Sequence, residues 1–153
     1  MKKNEIINYI TIVTCYLLVF LFTYTGVSKL IDHEVFEAAI LRSPIIRQQA
    51  PIISWLIPVI ELLIAVMLLL QQYRKVGLLL SLLLLIIFTA YIGYMILFIP
   101  NLPCSCGGVL KELSWGNHLL FNSFFILLIL ISLSSFLKHK LFIAINRTSR
   151  KPV

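Results

Sequence analysis

Four long stretches almost without charge limit what this chain can fold into. They are residues 6–28, 51–73, 76–110 and 113–137. Only Glu61 and the titratable His118 interrupt them. About 20 apolar residues are enough for a helix to cross a bilayer, and unalternating Leu and Ile runs lack the two-residue period of barrel strands. We therefore predict an all-α integral membrane four-helix bundle, with helices at about 8–29, 52–72, 76–99 and 116–137.

The composition supports one membrane domain over residues 1–153. Hydrophobic residues make up 60% of the chain and charged residues 12%, about half the charged share of a soluble domain. No internal repeat or low-complexity linker divides it. The first apolar run is too long for a signal core and has no small-x-small cleavage site, so we retain it as helix 1.

The basic residues predict an orientation. Four spans place both termini and the turn near residues 71–75 on one side. That side carries most of the 13 basic residues: Lys2, Lys3, Arg74, Lys75, Lys138, Lys140, Arg147, Arg150 and Lys151. By the positive-inside rule, both termini and the basic tail 138–153 are cytoplasmic. We expect a multi-pass protein of the bacterial inner membrane, with the loop 100–115 in the periplasm. The net charge of +7 is then a topology signal, and no nucleic-acid partner is expected.

The segment between helices 1 and 2 predicts a short external amphipathic helix. Val35, Phe36, Ala39 and Ile40 recur with the spacing of one helix face. Asp32 precedes this face as a candidate cap, and a proline follows it. We expect this helix to lie on the outer surface and to cover the mouth of the bundle.

A pair of cysteines in the predicted periplasmic loop is the main candidate for chemistry. Cys104 and Cys106 stand in "PCSCGG", where disulfide formation is permitted. A bridge between residues two apart closes a small strained ring, and strain makes a disulfide easier to reduce. The pair therefore favours thiol–disulfide redox use, with metal binding and an inert or structural role as alternatives. Cys15 lies too deep in helix 1 to reach the pair and is expected in the core.

Glu61 is the second candidate, because an acid within a spanning helix is costly and marks a functional site by default. Burial favours the uncharged carboxyl group, so Glu61 is expected to donate a hydrogen bond to a quinone oxygen or to relay protons. The alternative is helix packing through Thr25, Tyr91 or Tyr94. Lys29, at the outer end of helix 1, could lower a thiol pKa, pair with Asp32 or serve as an anchor.

His118 and Asn122 lie four residues apart and so on one face of helix 4, below the cysteine loop. Histidine titrates near neutral pH, so His118 could take a thiol proton. A hydrogen-bonded packing role is the alternative. In a metal-handling interpretation, His118 and His33 would join Cys104 and Cys106.

The order of five segments resembles the MauE/DoxX family of small redox-associated membrane proteins, in the version found in Bacteroidetes. The segments are "YTGVSKLID", "IPVIELLIAVMLL", "FTAYIGY", "PCSCGGVL" and "LSWGNHLLFN". The resemblance implies a four-helix bundle and site residues Lys29, Glu61, Cys104, Cys106, His118 and Asn122. One branch is linked to methylamine utilisation, through maturation of the disulfide-rich small subunit of methylamine dehydrogenase, and the other to a thiosulfate:quinone oxidoreductase.

These observations together favour a membrane protein that passes electrons between the external cysteine pair and a membrane quinone or a periplasmic thiol partner. Cys104, Cys106, His118 and Glu61 would be catalytic, and Glu61, Lys29 and Asn122 would line the cofactor site. The partner would be a thioredoxin-like protein or an exported cysteine-containing protein, and no resident metal is expected. A metal-handling protein and a non-catalytic subunit that docks a partner stay open, as does the question of whether the chain is an enzyme.

Overall fold

The computed structural model describes the backbone of residues 3–98 and 115–148, and the side chains of 5–98 and 116–134. The described residues form five α-helices and one short 3-10 helix, Arg47–Gln49. The α-helices are α1 (Lys3–Ile31), α2 (His33–Leu41), α3 (Ala50–Leu69), α4 (Arg74–Phe98) and α5 (Trp115–Thr148). The predicted all-α class is confirmed.

Four segments are long and apolar enough to cross a membrane: Glu5–Ile31, Arg47–Leu69, Arg74–Phe98 and Gly116–Ser134. They match the four predicted spans. The helices themselves extend past the predicted ends of the first and last spans, to Lys3 and Thr148. A change from lipid to water does not end a helix, and no proline or glycine stands at these ends. Residues 138–148 of the predicted basic tail 138–153 are therefore helical backbone.

The core of the bundle is apolar and is shared by all four spanning helices. Its buried members are Cys15, Leu18, Phe22, Ile64, Ala65, Leu68, Leu78, Leu84, Leu85, Phe125 and Ile129. The expected core position of Cys15 is confirmed. Buried hydroxyl groups bond within their own helix, as Ser81 does to the carbonyl of Gly77 and Ser132 to that of Leu128. Such local bonds satisfy hydroxyl groups where no water is present.

Two glycines let α3 approach its neighbours closely. A Cβ atom on Gly26 of α1 would lie 3.1 Å from Cγ of Leu62 and 3.3 Å from the carbonyl oxygen of Pro58. A Cβ atom on Gly77 of α4 would lie 3.0 Å from a methyl carbon of Leu68. The contact at Gly26 brings the C-terminal half of α1 against the middle of α3, which is where Lys29 and Glu61 lie.

The short helix α2 is present between α1 and α3, as predicted. Asp32 occupies its N-cap position without a side-chain cap hydrogen bond, and its carbonyl accepts from the Phe36 amide at 3.0 Å. Ile40 is buried and Phe36 is half-buried, whereas Val35 is exposed. The expectation that Val35 shares the buried face is wrong, because α2 packs against α3 with Ile40 buried and His33 on Trp55, and this leaves Val35 exposed.

Candidate functional site

Glu61 lies inside the bundle, one turn after a proline in α3. Pro58 is within the helix and cannot donate to the carbonyl of Ser54, which breaks the regular ladder there. The Ser54 hydroxyl donates to the Pro51 carbonyl at 3.1 Å. Glu61 is only 1% exposed, so the expected deep position of this acid is what the structure shows.

The partner of Glu61 is Lys29 at the end of α1. The Lys29 Nζ atom donates to both carboxylate oxygens, at 2.6 Å to Oε1 and 2.9 Å to Oε2. The Lys29 side chain is 12% exposed, so the pair is almost fully removed from the surface. The pairing with Asp32 considered from the sequence is wrong, because the ammonium group reaches into the bundle.

The direction of the two helices explains how these side chains meet. A helical side chain leans toward the N-terminus of its own helix. Because α1 and α3 run in opposite directions, Lys29 leans toward the bundle interior and Glu61 leans toward the end where α1 finishes. The two groups therefore converge although they lie 32 positions apart in the chain. An ammonium group at both oxygens makes Glu61 an acceptor, whereas burial alone had suggested a donor.

Two phenylalanine rings flank the ammonium group of Lys29. Its Nζ atom lies 5.7 Å from the ring centre of Phe36 on α2 and 5.8 Å from that of Phe88 on α4. A cation within about 6 Å of a ring centre is attracted to the ring, most strongly where water is excluded. The site thus joins four elements. Sequence reasoning had placed Phe36 near the bundle mouth, but nothing in the sequence singled out Phe88.

Thr25 lies one turn before Lys29 on α1, and its hydroxyl donates to the Phe22 carbonyl at 3.5 Å. Of the packing partners considered from the sequence, Tyr94 lies elsewhere, half-exposed and against Phe98 with ring centres 4.9 Å apart. Of the two residues, Thr25 therefore lies on the helix that also carries Lys29, whereas Tyr94 packs on its own helix away from the pair.

His118 and Asn122 are both buried on the first two turns of α5, and each is 8% exposed. Their spacing of four places them on one face, as predicted, and α5 packs against α1 and α4. A buried imidazole and a buried amide therefore face the interior of the bundle. Their proposed roles depend on the cysteine loop and remain predictions.

Cys104 and Cys106 lie outside the described residues, so their bridging and their distance from His118 stay predictions. The helices on either side of them are described. α4 ends at Phe98 and α5 begins at Trp115, so the connection that carries both cysteines joins these two points. With alternating spans, these points lie at the same end of the bundle as the end of α1.

His33 packs against the ring of Trp55, with ring centres 4.2 Å apart, and its Nδ1 atom lies 4.0 Å from Glu37. Among the described residues, no group of three or more His, Cys, Asp or Glu side chains is arranged to hold a metal. In the described part of the chain, His33 thus serves to dock α2 on α3. The metal-handling alternative depends on Cys104 and Cys106 and is not tested.

The fold and the buried pair define a class of protein, namely a multi-pass helical membrane protein with an ion pair inside its bundle. The chain belongs to the family of the methylamine utilisation protein MauE, whose sequence model matches residues 7–135. The match confirms the MauE part of the resemblance seen in the five segments. The protein is accordingly a member of a membrane protein family associated with methylamine utilisation. Neither a curated protein nor a solved structure gives a significant match to the chain.

Proposed function

We propose that this protein carries out thiol–disulfide redox chemistry at the outer face of the bacterial inner membrane. Cys104 and Cys106 are the redox pair, and the electrons pass between them and a membrane quinone or a periplasmic thiol protein. The exported proteins of the methylamine utilisation system are a natural class of substrate, given the family to which the chain belongs.

The observation that carries the proposal is the buried pair of Lys29 and Glu61, at 2.6 Å. Ionisable groups inside membrane helices are expensive and mark sites of function. The pair lies toward the end of the bundle where α4 and α5 are joined by the cysteine segment. The buried His118 and Asn122 stand on the first turns of α5 at the same end.

The proposed step balances in electrons and protons. When Cys104 and Cys106 form a disulfide, two S–H bonds are broken, one S–S bond is formed, and two electrons and two protons leave. A quinone accepts them and becomes a quinol, or the disulfide of a thiol partner accepts them through a mixed-disulfide intermediate and becomes a dithiol. In this scheme a ring nitrogen of His118 accepts one of the thiol protons.

The residues around Lys29 fit a quinone as the alternative electron acceptor. An ammonium group carries three donors, and the Glu61 oxygens take two of them. The third is available to a carbonyl oxygen, and the rings of Phe36 and Phe88 offer flat apolar surfaces beside it. A bound quinone would accept two electrons and two protons. Lys29 would orient it, and Glu61 would hold or pass a proton.

The orientation belongs to the same proposal. Nine basic residues on the side of the two termini, against four on the other side, favour cytoplasmic termini by the positive-inside rule. The connection between α4 and α5 then faces the periplasm, where disulfides persist.

The test is a thiol-trapping redox titration of the purified full-length protein, with and without a quinone. We expect Cys104 and Cys106 to titrate as one two-electron couple, with a potential above the roughly −300 mV of structural disulfides. Reduced protein should become oxidised when a quinone or an oxidised thiol protein is added. A potential below that value would mean a static bridge and would end the redox proposal.

Cys15 provides a matched control, because it is a buried free thiol in the core. The variant Cys15→Ser should keep the couple, whereas Cys104→Ser and Cys106→Ser should each abolish it and leave one free thiol at that loop. Reduced thiols with stoichiometric bound metal would favour the metal-handling alternative. Retained biological activity in both loop variants would favour a docking subunit.

A further inference from the structure

The outward face of α1 carries a continuous stripe of side chains with alternating spacings of three and four residues. Its members are Ile6, Tyr9, Val13, Tyr16, Phe20, Thr23 and Val27, and all are exposed. The stripe extends over the 22 residues from Ile6 to Val27, or roughly 32 Å at 1.5 Å per residue, which is the full hydrocarbon thickness. Such spacing suits a left-handed pair of helices that cross at about 20°.

The composition of this stripe differs from the outward face of α3. The corresponding stripe of α3 consists of Ile52, Leu56, Val59, Leu63, Val66 and Leu70, all aliphatic and exposed. Aliphatic side chains suit contact with lipid tails. The α1 stripe instead presents aromatic rings, and Tyr9, Tyr16 and Phe20 are 68%, 61% and 73% exposed. The two stripes come from the same bundle and differ in composition.

The position of Tyr16 is not explained by contact with lipid, because its polar hydroxyl lies near the bilayer centre. It lies 11 residues after Glu5, the start of the first span, which is roughly 16 Å into the membrane and near its centre. Tyrosines near either interface are ordinary, and Tyr9 and Tyr24 fit that pattern. At the position of Tyr16 there is no water, and its hydroxyl has no hydrogen-bond partner among the described residues. A polar group in this situation calls for a partner from outside the chain.

We propose that the α1 stripe is a dimer interface, and that its partner is the same stripe of a second copy of this chain. Copies of one chain insert in the same direction, so two α1 helices meet in parallel, related by a two-fold axis, and each seam residue faces its own copy. The stripe carries no charge, so this pairing brings no like charges together. A hydroxyl both donates and accepts, so the two Tyr16 groups satisfy each other near the bilayer centre.

The size of the stripe also fits a second copy. A buried aromatic side chain contributes roughly 150–250 Å², so the three exposed rings offer roughly 400 Å² per copy. The four smaller residues of the stripe raise this toward the roughly 800 Å² per partner of a stable interface. Within the stripe region, Phe20 already stacks on Tyr24 with ring centres 6.3 Å apart, so part of the surface is ordered before pairing.

Cysteine cross-linking in membranes tests the pairing. In a full-length background with Cys15→Ser, Cys104→Ser and Cys106→Ser, single variants Tyr16→Cys and Phe20→Cys should form covalent dimers on oxidation. The control is Val59→Cys on the α3 stripe, which is exposed and lies at a similar depth, ten residues before the end of α3. It should stay monomeric. Equal cross-linking at all three positions, or cross-linking at Val59 alone, would overturn the proposal.

A second measurement does not depend on the cysteine variants. Energy transfer between donor- and acceptor-labelled copies of the natural sequence in liposomes should show dimers that dissociate on dilution with lipid. Tyr16→Phe removes only the hydroxyl and should weaken the dimer roughly threefold, the average effect of an interhelical hydrogen bond in a membrane. Tyr16→Leu with Phe20→Leu, which copies the α3 face, should weaken it further. A monomer at all lipid ratios, or transfer only when another membrane protein is added, would refute self-pairing.

Discussion

At the scale of single residues, the ion pair accounts for the burial of both Glu61 and Lys29. Either group alone inside a membrane bundle would be an uncompensated charge, which is far more costly than a charged pair. The contacts at 2.6 and 2.9 Å join them into a unit without net charge, and the rings of Phe36 and Phe88 surround its cationic part. Variants of one member are therefore expected to disturb the other, which affects how any test of Glu61 is designed.

The first prediction concerns stability. Glu61→Gln keeps the size of the side chain but strands the Lys29 ammonium group, so it should lower the free energy of unfolding by about 3–5 kcal/mol. Lys29→Met should cost a similar amount by stranding Glu61. The double variant Lys29→Met with Glu61→Leu should cost much less than the sum, because no charge remains buried. Denaturation in mixed micelles followed by circular dichroism measures all three, and additive losses would argue against the pair.

The second prediction separates a proton-handling role from a packing role and depends on the proposed redox function. The folded double variant Lys29→Met with Glu61→Leu should reduce electron transfer to the acceptor about 100-fold, within the range that positioned acid–base groups contribute. The potential of the cysteine pair should stay unchanged, because those thiols are not altered. Unchanged transfer rates in the folded double variant would leave the pair with a structural role only.

At the scale of elements, the contact between α1 and α3 depends on Gly26. The glycine faces Leu62 and the carbonyl oxygen of Pro58, and this close approach sets the depth at which Lys29 meets Glu61. The short helix α2 completes the arrangement from outside, through Phe36 over Lys29 and His33 over Trp55. Together with Phe88 of α4, the site therefore depends on the relative placement of four helices.

The third prediction tests this contact with one substitution at two glycines. A Cβ atom on Gly26 meets a neighbour at 3.1 Å, whereas one on Gly93 of α4 meets nothing within 4 Å. Gly26→Ala should therefore be less stable than Gly93→Ala by about 1–3 kcal/mol, because overpacking must push α1 away from α3. Unfolding in mixed micelles compares the two, and equal stability would mean that the helices are not in close contact.

At the scale of the whole molecule, the distribution of charge predicts the orientation. A membrane-impermeant maleimide added to reduced spheroplasts should label Cys104 and Cys106, since the proposal places their loop in the periplasm. The variant with Cys104→Ser and Cys106→Ser should take up no label, because Cys15 is buried in the core. Labelling that requires an opened inner membrane would reverse the orientation.

The number of spans, the helical class, the short helix between the first two spans and the depth of Glu61 could all be predicted from the sequence. Each follows from one local property, because a bilayer admits few solutions for an apolar run and penalises a charge within it. The family resemblance also named Lys29 and Glu61 as site residues. It did not pair them, and local spacing had left Lys29 beside Asp32.

Only the tertiary structure decided that Lys29 turns inward to Glu61, and that Phe36 and Phe88 enclose it. These contacts join residues from four helices, and they depend on which face of each helix turns inward and how closely Gly26 lets α1 approach α3. In a membrane, an apolar run specifies the span well but hardly specifies which face of the helix turns inward, because Leu and Ile suit lipid and protein neighbours equally well. Packing between helices therefore had to be observed, while the spans themselves could be read from the chain.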